Sequence, residues 1–261
     1  MPNHAGDVPV QVSPASRRNR VLEIVAVLGV SLGMSAVYAI LYLVRADLTV
    51  HGGISQTTAT VVSGPNTKLV WLDLADNLAD TLRGVFPALL AVVLLARQPG
   101  LRASGLLPQR KLSDLTVGVG LFIGIGVPGL ALVVVSRHFG INASLNVVDL
   151  PDVWYRVPYL LIEAAQNGLL EEVVVVAYLM TRLRELRCQT GTTIAISALL
   201  RGSYHLYQGY GAFVGNVVMG AIFGAWFSKT GRAVPLIVAH FLLDAVSFVG
   251  YLYLAPRVNW L

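Results

Sequence analysis

Apolar residues in this chain arrive in runs of about twenty, parted by short stretches rich in Arg, Lys, Gly, Ser or Asp. Such runs predict helices that cross a membrane, because about 20 residues rising 1.5 Å each cover the roughly 30 Å of a hydrocarbon core. They fall at Val21 to Val44, Trp71 to Ala96, Leu115 to Ser136, Tyr155 to Thr181, Thr192 to Tyr207, Ala212 to Phe227 and Val234 to Leu254. The pattern predicts an all-α, polytopic transmembrane helix bundle of about seven spans, within a range of six to eight. Residues 1–20, rich in Pro, Ser and Asn, read as a cytosolic disordered tail, Arg45 to Lys68 as a Gly-, Ser- and Thr-rich loop, and residues 255–261 as a short C-terminal tail. The first apolar run is longer than a cleaved signal core, so it reads as a signal anchor.

Composition agrees with this pattern: 55% of the 261 residues are hydrophobic and only 13% charged. A net charge of +5 raises the question of nucleic acid, but the cations are scattered between apolar runs and not gathered into a patch. They sort by side instead. Arg17, Arg18, Arg20, Arg97, Arg102, Arg110, Lys111, Arg182, Arg184, Arg187, Lys229 and Arg232 share alternate loops, while Arg45, Lys68, Arg137 and Arg257 fall on the other set. The positive-inside rule then puts the N-terminus in the cytosol, and an integral protein of the plasma membrane is the expectation. Glycines at 118, 120, 124, 126 and 129 predict close helix packing by the third span. Asp73, Asp76 and Asp80 read as a solvated or interfacial first turn of the second, and the single Cys188 carries neither a disulfide nor a metal-ligand spacing.

Packing cannot account for Glu171-Glu172, two adjacent acids inside an apolar run, since one such group costs roughly 2.5–3.5 kcal/mol at mid-membrane. His205, His240 and Asp244 are set in apolar segments too, so the five read as one buried polar cluster. From the helical rise, Glu171 lies roughly 16 Å and His240 roughly 12 Å from the basic face. His205 comes late in its span, and either tilt or a turn at Gly209 to Gly211 that stays inside the protein brings it to the same depth. Glu163 and Asn167 share a face with Glu171 and extend the polar track toward the outer side. Tyr204, Tyr207 and Tyr210 read as interfacial anchors.

Glu171-Glu172, then His205 on the next span, then His240-Phe241-Leu242-Leu243-Asp244, resembles the CPBP family of intramembrane proteases, which takes in type II CAAX prenyl endopeptidases and bacteriocin-processing and lysostaphin-resistance-like enzymes. The likeness covers about residues 155 to 250 and makes residues 155–254 the expected catalytic core, with residues 21–154 as N-terminal helices. The family's motifs are Glu-Glu-x-x-x-Arg, Phe-x-x-x-His and His-x-x-x-Asn or Asp. Here Val176 stands in place of the Arg and Arg201 in place of the Phe. The resemblance implies cleavage near the end of a membrane-associated or lipid-modified peptide, with His240 and Asp244 polarising the scissile carbonyl and Asp244 fixing the imidazole or acting in protonated form.

Hydrolysis at such a site needs a captured water, a base and a stabiliser for the oxyanion. Glu171 is the candidate base, and His205 a second ligand of the same water. A metal-free glutamate mechanism and a divalent metal such as zinc on Glu171, His205 and His240 both answer the need. The two departures predict a compensation. An Arg one turn from the second glutamate would neutralise it; Val176 cannot, and Arg201 requires a partner, so Arg201 is expected to reach across to Glu172. A catalytically inactive scaffold and a proton-coupled transporter also fit acids and histidines at this depth, although no internal repeat favours a carrier.

Overall fold

The computed structural model describes residues 14–257. Its helices are α1 (Pro14–Gly29), α2 (Leu32–Thr49), α3 (Val70–Arg97), α4 (Lys111–His138), α5 (Arg156–Glu171), α6 (Leu179–Glu185), α7 (Thr190–Tyr204), α8 (Tyr210–Thr230) and α9 (Val234–Leu254), with a π-helical segment, Glu172–Tyr178, joining α5 to α6 in one rod. Five of them, α2, α3, α4, α8 and α9, are long and apolar enough to cross a membrane. The α5–α6 rod is broken by its π turns, and α7 has only 15 residues, too few to traverse a hydrocarbon core.

The first apolar run is two helices, not one. Ser31 Oγ donates to Val27 O at 2.6 Å, and the chain breaks at Val30 and Ser31 before resuming as α2. α1 already begins at Pro14, so residues 14–20 are helical; residues 1–13 and 258–261 of the expected tails lie outside the described residues.

Nor is the fold wholly helical. The two expected loops each hold a strand, β1 (Thr58–Ser63) and β2 (Ser144–Asp149), paired in parallel with Thr58 opposite Ser144 and Val62 opposite Val148. A parallel pair needs a long crossover, supplied here by the whole α3–α4 excursion. Val and Thr dominate β1, residues that suit a half-buried pleated surface.

Helix ends gather in two sets. At the basic end Arg182, fully buried, donates to Gln98 O at 2.6 Å and Leu94 O at 3.0 Å and pairs with Glu23 at 2.7 Å. A cation there satisfies the last carbonyls of α3 and complements its dipole. Arg20 pairs with Glu185 at 2.9 Å, and Arg232 with Asp114. At the opposite end lie the sheet, the N-termini of α3, α5 and α8, and the C-termini of α2, α4, α7 and α9; Tyr210 Oη donates to Asp47 Oδ2 at 2.5 Å there.

The apolar core between these ends is centred on the rod. Val173 to Met180 are all buried, against Ala88, Ala91 and Leu95 of α3 and Phe223 and Phe227 of α8. Val176 is part of this core. On α4 only two of the five glycines meet another helix: a Cβ at Gly118 would strike Val238, and one at Gly126 would touch Leu243, whereas Gly120, Gly124 and Gly129 have open space beside them. On the α8 side it is glycines of α8 that permit close approach: a Cβ at Gly211 would collide with Ser136 of α4, and one at Gly215 would lie 3.0 Å from Leu132. Asp76 and Asp80 are exposed as the sequence suggests, but Asp73 is buried, its carboxylate accepting from Thr67 N at 2.9 Å and Thr67 Oγ1 at 2.7 Å.

Candidate active site

Glu171 closes α5 and Glu172 opens the π-helical segment. π turns appear as short insertions in helices, commonly at functional sites. Here the run of β-branched Val173 to Val176 follows the pair, and Ser197 Oγ of α7 donates to Val175 O at 3.0 Å within the segment. Gly168, one turn earlier, lets α9 come close: a Cβ there would lie 3.1 Å from Phe241 N and 3.6 Å from His240 Cβ. Gly220 does the same between α8 and α7, with Ala198 Cα 2.8 Å from where its Cβ would be. Three helices thereby meet around the two acids.

Arg201 lies at the centre. Its Nη2 is 2.5 Å from Glu172 Oε1 and its Nη1 3.3 Å from Glu171 Oε2. The pairing with Glu172 expected from the sequence is present, and Phe223 of α8 lies under the guanidinium at 5.4 Å, an aromatic contact from a neighbouring helix. The acids differ in access: the Glu172 side chain is 0% exposed and that of Glu171 11%. Glu172 is a sealed anchor, while Glu171 retains an accessible edge.

His240 Nδ1 is 2.7 Å from Glu172 Oε1 and 3.5 Å from Arg201 Nη1. Since the guanidinium only donates, the Nδ1 proton belongs to the Glu172 bond, which turns Nε2 toward Glu171 Oε2 at 4.0 Å and Asp244 Oδ2 at 3.8 Å. Glu172, and not Asp244, therefore fixes the imidazole. Asp244 is itself held by Asn167 Nδ2 at 3.3 Å.

His205 follows the last residue of α7. Its Nδ1 donates to Arg201 O at 3.0 Å, leaving the Nε2 lone pair free to accept. The depth of His205 is set by the turn and not by tilt: α7 stops, a 3₁₀ turn covers Leu206–Gln208, and α8 starts at Tyr210. Gly209, with φ of 116°, carries the reversal, and Asn142 seals it from above, its Oδ1 accepting from Gly211 N at 2.8 Å. Any Cβ on Gly209 would lie 2.5 Å from Asn142 Cα.

Tyr204 is the residue that sequence reasoning misplaced. It is buried, and its hydroxyl donates to Glu171 Oε2 at 2.6 Å, so it is no interfacial anchor. Its signal was position, three residues after Arg201 and adjacent to His205. Tyr207 accepts from Gln208 at 2.8 Å and Tyr210 is exposed at the end opposite the basic one. Glu163 lies away from the cluster, where its carboxylate accepts from Thr81 Oγ1 of α3.

A divalent metal does not fit this arrangement. Among the described residues no three His, Cys, Asp or Glu side chains converge to hold one. Glu171 Oε2 is occupied by Tyr204 at 2.6 Å and faces the Arg201 guanidinium at 3.3 Å, a fixed cation that repels a second at that oxygen and leaves only the other carboxylate oxygen open. The expected ligand set of Glu171, His205 and His240 is not formed.

Comparison with known proteins assigns the region. Residues 153–246, which include the whole cluster, match the family model described as type II CAAX prenyl endopeptidase Rce1-like. No curated protein and no solved structure matches the chain. Together with the apolar helices that surround the buried acids, this match means that the chain carries, over residues 153–246, a domain of the Rce1-like type II CAAX prenyl endopeptidase family, a family of membrane proteases.

Proposed function

We propose that the protein is an intramembrane endopeptidase in which Glu171 activates water without a metal. The observation that carries this reading is the asymmetry of the two acids: Glu172 is sealed by Arg201 and His240, whereas Glu171 is held through Oε2 and keeps an accessible edge for a water. The water is bound by Glu171 and by the Nε2 lone pair of His205. As its oxygen attacks the scissile carbonyl carbon, its proton passes to Glu171; when the C–N bond breaks, Glu171 returns that proton to the leaving amine. His240, with Nδ1–H on Glu172, presents Nε2–H as imidazolium to the developing oxyanion, and Asp244 beside it offsets the ring's charge. Arg201 touches neither water nor peptide; it positions both glutamates.

The substrate class is the end of a membrane-associated or lipid-modified peptide. Seven passes of the chain are the topology that fits the two sets of helix ends, with α1 and α2 forming one broken span, the α5–α6 rod another, α7 together with the turn at Leu206–Gln208 completing the count, and the basic end cytosolic. The test is a processing assay on purified full-length protein in detergent, followed by comparison of membrane-proteome termini with and without the protein. Glu171→Gln, His205→Ala and His240→Ala are expected to abolish cleavage while the variants stay monodisperse. Cleavage at the wild-type rate by Glu171→Gln would overturn the mechanism.

A further inference from the structure

A second buried polar array lies outside the cluster, in the seam between α3 and α5. The two helices run parallel with one constant offset. Thr81 donates to Glu163, 82 residues later, and the same offset brings Gly84 against Gln166; Asp73 and Asn77 continue the same face of α3 outward by one turn each, as Tyr159 does on α5. At Gly84 a Cβ would collide with the Gln166 amide, so that side chain is pressed onto the α3 backbone where no side chain stands. Tyr159 hydrogen-bonds Glu163 one turn on. Polar positions thus follow one face of α3 from Asp73 to Gly84, eleven residues or roughly 16 Å.

The array is short of partners. Asn77 is 2% exposed and Gln166 7%, yet Asn77 Nδ2, Gln166 Nε2 and Tyr155 Oη bond nothing among the described residues. Buried donors are satisfied by protein or by ordered water, and a row of unsatisfied ones beside a carboxylate is the lining of a hydrated seam. Its inner end reaches the catalytic cluster, because Asn167, one turn beyond Glu163 and next to Gln166, donates to Asp244 at 3.3 Å.

We propose that this seam is a water path that carries hydrolytic water from the outer face, past Asn77, Thr81, Glu163 and Gln166, to the Glu171 site. Hydration of the seam stands independently; only its destination rests on the protease reading. Water is the ligand the lining fits, since donors and acceptors alternate along it and no cation stands in it.

The experiment uses the full-length protein in right-side-out proteoliposomes, with Cys188→Ser as background. Thr81→Cys in the seam is compared with Leu82→Cys, at nearly the same depth but 52% exposed on the outer surface of the bundle. A membrane-impermeant thiosulfonate added outside reacts only with hydrated thiolate, so Thr81→Cys is expected to label roughly tenfold faster or more. Equal rates would overturn the path. In the second arm Thr81→Val and Gly84→Ala, which dry or plug the seam, are expected to lower kcat roughly fivefold or more at unchanged KM, because water supply and not peptide binding is limited. Fast labelling with unchanged kcat would refute the destination. Fast labelling in a chain that cleaves nothing would leave the path and remove the protease reading.

Discussion

The Arg201 guanidinium and the Glu172 carboxylate, both wholly buried, meet at 2.5 Å between α7 and the π turn of the α5–α6 rod. Truncating either member strands a charge in an apolar core. Arg201→Leu and Glu172→Leu are each expected to destabilise the protein by about 3–5 kcal/mol, and the double variant by clearly less than either. Thermal unfolding in detergent reads the cycle. Additive losses would mean that the pair is not coupled.

Tyr204→Phe removes one hydrogen bond to a charged group and almost no volume. A bond of that kind contributes about 1.5–3 kcal/mol to stability, so the unfolding temperature should fall measurably, and cleavage should slow roughly tenfold or more as Glu171 loses its orientation. Wild-type turnover in Tyr204→Phe would show that its hydroxyl does not orient Glu171.

Gly209 sits in a backbone region open almost only to glycine, and its Cα faces Asn142. Gly209→Ala should cost about 1–3 kcal/mol and displace His205, lowering kcat more than it raises KM. Paired stability and kinetic measurements test this, and an unaffected kcat would show that the turn does not hold the histidine.

Chelators should leave cleavage unchanged, and metal analysis of the active protein should find no stoichiometric zinc. The basis is that no three His, Cys, Asp or Glu side chains among the described residues converge on one point, and that a guanidinium 3.3 Å from Glu171 Oε2 already neutralises that carboxylate. Inhibition that added zinc reverses would refute the metal-free assignment.

A reporter fused after Arg110 should be cytosolic and one near Asn142 external, because the basic loops demand that order. Both on one side would break the seven-pass topology.

Five of the spans were legible because twenty apolar residues have few other uses, and the Arg201–Glu172 pair because buried charges must find partners. The rest depended on geometry that hydropathy does not record. Nothing in the first apolar run marks Ser31 as a break, and the strands at Thr58 and Ser144 are short polar-apolar mixtures that read as loop. Tyr204 was illegible because a tyrosine near the end of a span is ordinarily an anchor; only the shortness of α7 puts it inside. The α3–α5 seam was half visible. Glu163 stood out as a charge, but Asn77, Thr81 and Gln166 hardly disturb an apolar background, and the register between two helices cannot be read from either alone.

Arg182 also bears on the order in which the chain is assembled during synthesis. The carbonyl of Gln98, which caps α3, takes its donor from a residue 84 positions later, and that of Leu94, already bound by Gln98 N, gains a second donor from the same residue. At about 5–20 residues per second, α3 waits roughly 4–18 s after its own translation before that donor emerges. The N-terminal helices are thus left with an open seam at their basic end until the α5–α6 rod reaches them, and Arg182 is the residue whose arrival closes it.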